Sequence, residues 1–206
     1  MPGYKSGIEW FGEEQFLGSI VTFSESSIES PLRTWKLERK LTEHESCVEE
    51  RWSAPGGMPE AGAMFVCSSG SGSSRKEAML RIRMQIPFIS TFGEPLSARA
   101  KQATDILSYS TTDEIKALKI LMTAHCSSTP AFLAFKQEKQ GLDAWVPGGY
   151  LAYILMEKLP GLSVCDIYWY LDPEERAEVR EGFKTAWTYV YTSFMLSSTV
   201  SKPLRF

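Results

Sequence analysis

V-P-G-G-Y-L-A-Y-I-L-M-E-K-L-P-G, Val146 to Gly161, is the stretch on which the reading of this chain turns. Leu151 to Met156 is an uninterrupted apolar run, closed by Pro147-Gly148-Gly149 before it and Pro160-Gly161 after it. A run this short between turn residues reads as a strand buried on both faces. Charge returns at Glu157-Lys158, and Pro160-Gly161 forces a change of direction. A buried strand that ends in exposed backbone and a stiff turn can act as a hinge, with free N–H and C=O groups suited to a flat polar ligand such as adenine. The plainer alternative is an interior strand leaving the core.

Upstream, Ala131 to Lys136 reads as a second strand, joined to the first through a polar turn at Gln137 to Ala144. Thr111 to Thr123 reads as a helix: Thr111-x-x-Glu114 has the form of a capping box, and Ile115, Leu118, Leu121 and Met122 recur on one face. Glu114 either caps that helix or points inward. Met79 to Ile86 is the clearest strand, with Leu80, Ile82, Met84 and Ile86 on one face and Arg81, Arg83 and Gln85 on the other. Its apolar face is expected to be buried with Ile115, Leu118 and Met122. Two arginines on one strand face need solvent, carboxylates or phosphates, and a contact between Glu114 and Arg81 or Arg83 is expected.

Trp35 to Leu41, Cys47 to Trp52 and Ala63 to Cys67 are further candidate strands, and Leu96 to Leu107 a short amphipathic helix. The loops Ser53 to Gly62 and Ser68 to Ser74 are glycine-rich, but neither opens a helix or matches a P-loop. Residues 1–32 read as a peripheral N-terminal segment, with Ser24 to Ser30 a linker. At the other end, Asp172-Pro173-Glu174-Glu175 supplies a helix start, and Val179, Phe183, Ala186, Trp187, Val190 and Phe194 an apolar stripe.

Composition narrows the partners. A net charge of −3 and a pI near 5.6 argue against a nucleic-acid or anionic-membrane surface. The N-terminus lacks the form of a secretory signal, and no apolar run reaches the roughly 20 residues of a membrane span. Cys47, Cys67, Cys126 and Cys165 lie far apart, without metal-ligand spacing, as expected for reduced core thiols in a cytoplasmic protein.

The motifs R-I-R-M-Q-I-P (Arg81 to Pro87), T-x-x-E-I-x-A-L (Thr111 to Leu118), C-S-S-T-P (Cys126 to Pro130), V-P-G-G-Y (Val146 to Tyr150) and Y-I-L-M-E-K-L-P-G (Tyr153 to Gly161) follow one another in an order that resembles the protein-kinase-like superfamily. The resemblance is to the aminoglycoside/choline phosphotransferase-like branch, including kinase-like proteins of filamentous fungi. Glu174 to Trp187 extends it, and it covers roughly residues 33–190.

The resemblance implies an α+β fold: a kinase-like small lobe at 33–158, with a twisted antiparallel sheet of about five strands, a packed helix and a hinge, then a partial helical large lobe at 159–206. It puts Arg81 where the family carries its phosphate-binding lysine, and Glu114 where the helix glutamate pairs with it. Arginine is a wide planar fork where the family has a compact point charge. Met156 would lie near an adenine pocket, with backbone at Glu157 and Leu159 as donors and acceptors. Phosphoryl transfer in the superfamily needs a catalytic-loop Asp, an Asn and a second metal-binding Asp beyond the helix near Asp172. This chain has no asparagine, and its last aspartate is Asp172.

The expectation is a catalytically incomplete, pseudokinase-like domain, truncated after the first large-lobe helices. It would bind ATP weakly and without metal, or bind a protein partner. The alternative is a fragment of an active ATP-dependent phosphotransferase, completed by a longer isoform or another chain. A weaker one is an unrelated α+β binding module. The uncovered stripe at 175–195 is expected to self-associate or meet a partner.

Overall fold

The structure, a computed structural model, describes residues 6–24, 34–49 and 57–200, and the side chains among them except Cys165 and 193–200. The chain forms two compact units, Met1–Ile115 with Phe132–Glu157, and Lys116–Ala131 with Lys158–Phe206.

The first unit is built on six antiparallel strands: β1 (Ile20–Thr22), β2 (Thr34–Ser46), β3 (Glu60–Ser69), β4 (Lys76–Gln85), β5 (Phe132–Lys139) and β6 (Tyr150–Glu157). They lie in the order β1-β2-β3-β4-β6-β5 and curl into a half-barrel. β6 is interior, between β4 and β5, and Ala152, Tyr153, Ile154, Leu155 and Met156 are all buried. The apolar run therefore is a strand covered on both faces.

One strand reading and one helix reading change. β2 is one strand of 13 residues reaching Ser46, and Cys47 to Glu49 lie in no strand; residues 50–52 fall outside the described ones. Register shifts between Leu37 and Arg39 and between Lys40 and Thr42 break its alternation, which hid its length. Leu96 to Leu107 holds only a helical turn, α2 (Leu96–Arg99), preceded in the chain by α1 (Glu13–Phe16) and continued by a 3-10 turn at Ala100–Gln102.

The apolar face of β4 is buried as expected, but under a different cover. Leu80, Ile82, Met84 and Ile86 join a core with Phe65, Leu37 and Leu155 that Trp10, Phe11, Val21 and Phe23 close. Ile8 to Phe23, within the segment expected to be peripheral, thus contributes side chains to the core. Trp10 donates its backbone N–H to Glu43 and its indole N–H to Glu45, both at 2.6 Å, and Lys40 donates to the Phe11 carbonyl at 2.9 Å and to Glu9. Each large aromatic withdraws on the order of 150–250 Å² from water, so this segment completes the core.

The Pro147-Gly148-Gly149 turn before β6 is fixed by Gln140. Its amide donates to the carbonyls of Gln85 at 2.8 Å and Tyr150 at 3.2 Å, and its oxygen accepts from Val146 N at 3.1 Å. A Cβ on Gly149 would stand 2.5 Å from Gln85 Oε1 and 3.1 Å from Gln140 Nε2. Gln85 cannot step aside freely, because Oε1 accepts from Thr104 N and Nε2 donates to Gln102 O. Gly149→Ala is expected to cost about 1–3 kcal/mol, as overpacked cores do, read as a lower urea midpoint with an unchanged slope.

Tyr109–Thr123 forms α3, whose first half belongs to the first unit. It begins before the expected box. Ser108 accepts the Thr111 N–H on its side chain at 3.1 Å and the Thr112 N–H on its carbonyl at 2.9 Å. Ser108 makes the cap, so Glu114 is not required there.

In the second unit, α4 (Val164–Ile167) and a 3-10 turn at Tyr168–Tyr170 lead into α5 (Pro173–Val200). Here a capping box does form: Glu175 N donates to Asp172 Oδ1 at 2.8 Å, and Asp172 N to Glu175 Oε2 at 2.9 Å. Arg176 ties the start of α5 back, donating to the carbonyls of Tyr168 and Trp169. Phe183, Trp187 and Tyr191 are exposed, with the Phe183 and Trp187 rings stacked at 6.1 Å, while Val179, Ala186 and Val190 are half-buried. The Phe194 side chain lies outside the described residues.

Cys47, Cys67 and Cys126 are free thiols; Cys67 and Cys126 are buried and Cys47 half-buried. Burial pushes the Cys47 and Cys67 thiols up to about 12. Among the described residues no helix is long and apolar enough to cross a membrane.

Candidate functional site

The polar face of β4 carries a dense charge cluster. Strand alternation puts Arg81, Arg83 and Gln85 on this face, and pairing aligns Arg83 with Gly62 and Ala152, and Arg81 with Met64 and Ile154. The first-unit part of α3 meets this face through Glu114, and Ile115, although buried, is not among the residues of the core on the apolar face.

Glu114 takes both arginines. Arg83 Nη2 donates to its Oε2 at 2.7 Å, and Arg81 Nη1 donates to its Oε1. Arg83 Nη1 also donates to Glu60 Oε1 at 3.0 Å. Glu60, only 4 % exposed, then accepts three hydroxyls on Oε2: Ser108 at 2.7 Å, Thr111 at 2.5 Å and Tyr150 at 2.9 Å. A buried carboxylate, Glu60, and a half-buried one, Glu114, thus balance two guanidinium groups, and the hydroxyls fill the remaining lone pairs of Glu60, as buried charge requires. Burial, with the Glu60 carboxylate beside it, pushes the Tyr150 phenol far up, so it stays a donor.

His44 borders the cluster, with Nε2 3.0 Å from Arg83 Nη1. It reaches there because β3 has Gly62 opposite: a Cβ on that residue would sit 2.7 Å from the His44 ring. An arginine can only donate, so Nε2 accepts and the neutral ring carries its proton on Nδ1. Partial desolvation, then the Arg83 and Arg81 charges, hold the His44 pKa below its usual value.

The unfolded chain therefore binds the His44 proton at a higher pH than the fold does. Stability falls as pH drops from about 6.5 toward the folded value, and only slightly, because the side chain is exposed to water. An NMR titration is expected to place the His44 midpoint below 6.5, and Arg83→Met to raise it; a midpoint above 6.5 would contradict the contact.

Arg81 is the open end. Its side chain is 29 % exposed, and among the described residues only Nη1 has a partner, Glu114. Burial lowers its pKa while Glu114 opposes the shift. Among the described residues no other group takes its remaining donors, and the side chain is open to solvent in part.

Of the residues expected at the site, Arg81 and Glu114 are brought together. Met156 is buried on the same face of the sheet, opposite Met79 on β4, one alternate position along from the Arg81–Ile154 pair. Glu157 is exposed at the end of β6, opposite Ala78, and Leu159 is 45 % exposed in the second unit. The sequence reading missed Glu60, Ser108, Tyr150 and His44 and took Thr111 for a cap. Among the described residues no group of three His, Cys, Asp or Glu is placed to hold a metal ion.

Comparison with known proteins returns no matching family model, no matching curated protein and no matching solved structure.

Proposed function

We propose that the first unit is a protein-kinase-like small lobe that binds a nucleotide through its phosphates without transferring them. The observation that carries this reading is the Arg81–Glu114 pair, which joins β4 to α3 in the manner of the strand–helix ion pair of that superfamily. The element order supports it: an arginine strand, a helix, two antiparallel strands ending in a polar turn, then a long capped helix. In this reading Arg81 offers its open donors to a phosphate, and Met156 lines the same face where an adenine would lie.

Charge decides the strength. Glu60 and Glu114 already neutralise the two arginines, so a polyphosphate meets one partly engaged guanidinium, and binding is weak. With no asparagine in the chain and no metal-holding group among the described residues, magnesium adds nothing.

Titration calorimetry is expected to show weak, saturable ATP binding, equal with and without magnesium and abolished by Arg81→Met, with no turnover above a heat-killed control. Binding that survives Arg81→Met, or turnover that follows the purified protein, would overturn the proposal. A second reading, half of an active phosphotransferase completed by a longer isoform or another chain, is favoured by the exposed Phe183, Trp187 and Tyr191 of α5, which suit a covering partner.

A further inference from the structure

The half-barrel holds a second feature, away from the arginine face. A cavity of about 450 Å³ is lined by Trp10, Phe16, Met84, Trp145 and Leu151, with Arg99 among them. That volume lies within the range of small-molecule sites, which combine apolar walls with a few fixed polar groups.

Arg99 is the unexplained group. Its guanidinium carbon stands 5.6 Å from the centre of the Trp145 ring, and its Nε is buried with no hydrogen-bond partner. Among the described residues it makes no ion pair, although Asp143 lines the same cavity. A guanidinium over an aromatic ring keeps its N–H edge for hydrogen bonds and suits carboxylate, which takes the fork two-pronged. Asp143 is exposed, so solvent screens its repulsion, whereas the Arg99 Nε has lost its water.

Both walls are held before any ligand arrives. The turn carrying Arg99 ends at Gln102, which donates to Thr91 Oγ1 at 2.9 Å and accepts from Phe88 N at 2.9 Å. The loop carrying Trp145 is clamped by Gln140, and Trp10, fixed by Glu43 and Glu45, packs edge-on against Trp145 at 4.7 Å. Preorganisation of this kind lowers the ordering cost of binding.

We propose that this cavity binds a small organic carboxylate, a single anionic group on an apolar or aromatic body, with Arg99 reading the carboxylate and Trp10 and Trp145 packing the body. The site is separate from Arg81 and stands whether or not a nucleotide binds there.

The test uses the full chain with phenylacetate, its neutral analogue phenylacetamide and the cation phenethylamine, followed by the indole N–H signals in NMR. Phenylacetate is expected to shift the Trp10 and Trp145 signals saturably and to bind at least about tenfold more tightly than phenylacetamide, the difference one charge-assisted hydrogen bond makes. Phenethylamine should leave both signals in place. Arg99→Met is expected to erase the preference for the acid, and Arg99→Lys to keep part of it. Equal affinity for acid and amide, shifts at other indoles only, or no saturable shift would overturn the proposal. Should Arg99→Met fail to fold, the ligand series on the unaltered chain decides alone.

Discussion

Glu60→Gln is expected to lower the stability of the fold by about 3–5 kcal/mol, the cost of leaving a buried charge without its partner. Glu60 is 4 % exposed and is the acceptor for Arg83, Ser108, Thr111 and Tyr150 together. A glutamine keeps the shape but replaces one acceptor oxygen by a donor. Either Arg83 then faces an N–H it cannot accept, or the three hydroxyls lose the acceptor oxygen they share and must turn to accept an N–H, and Arg83 loses half of its neutralising charge. With roughly 2–4 °C per kcal/mol for a chain of this size, the melting temperature should fall by about 6–20 °C. Tyr150→Phe, which removes one of the three hydroxyl donors to Glu60, should cost about 1 kcal/mol. A glutamine variant melting within a degree or two of the parent would mean that the carboxylate does not organise this face.

Glu114→Gln is the second large effect. Glu114 answers both strand arginines, but it and Arg81 are 17 % and 29 % exposed, so water recovers part of the loss. About 2–4 kcal/mol is expected, below the figure for a fully buried pair. Ser108 caps α3, so a change at Glu114 leaves the helix start intact. Thermal melts of Glu114→Gln, Arg81→Met and the double variant separate the pair from the helix, since partners that act together lose less in combination than in sum. A near-neutral melt for Glu114→Gln would remove the ionic bridge between β4 and α3 from the account.

The strands with a clean pattern were legible in the sequence. The period-2 alternation of Leu80 to Ile86 and the bounded run Leu151 to Met156 each describe a strand whose surroundings do not alter it, and Asp172-Pro173-Glu174-Glu175 states its own cap. The arginine–glutamate contact was legible too, because two cations on one strand face demand an anion. What covers the opposite face was not. Trp10 and Phe11 sit in a segment whose described residues hold one four-residue helix and one three-residue strand, too short for any period to show. Their role exists only because the curled sheet leaves an apolar face open.

Glu60 was hidden in the same way, within a loop-like P-E-A-G. Its partners lie from 23 to 90 residues away along the chain, so only the sheet register brings them together. Thr111 and Ser108 show the limit of local rules. Both fit a helix start, and the choice between them was made by a buried carboxylate that needed a hydroxyl from each.

The most direct measurement on the central claim, that the arginine face of β4 is a ligand site opened through Arg81, is the NMR signal of the arginine Nε–H groups during addition of ATP without magnesium. The Arg81 signal is expected to shift saturably while that of Arg39, exposed on β2, stays in place. Saturable ATP binding with the Arg81 signal unmoved, or no binding at all, would contradict it.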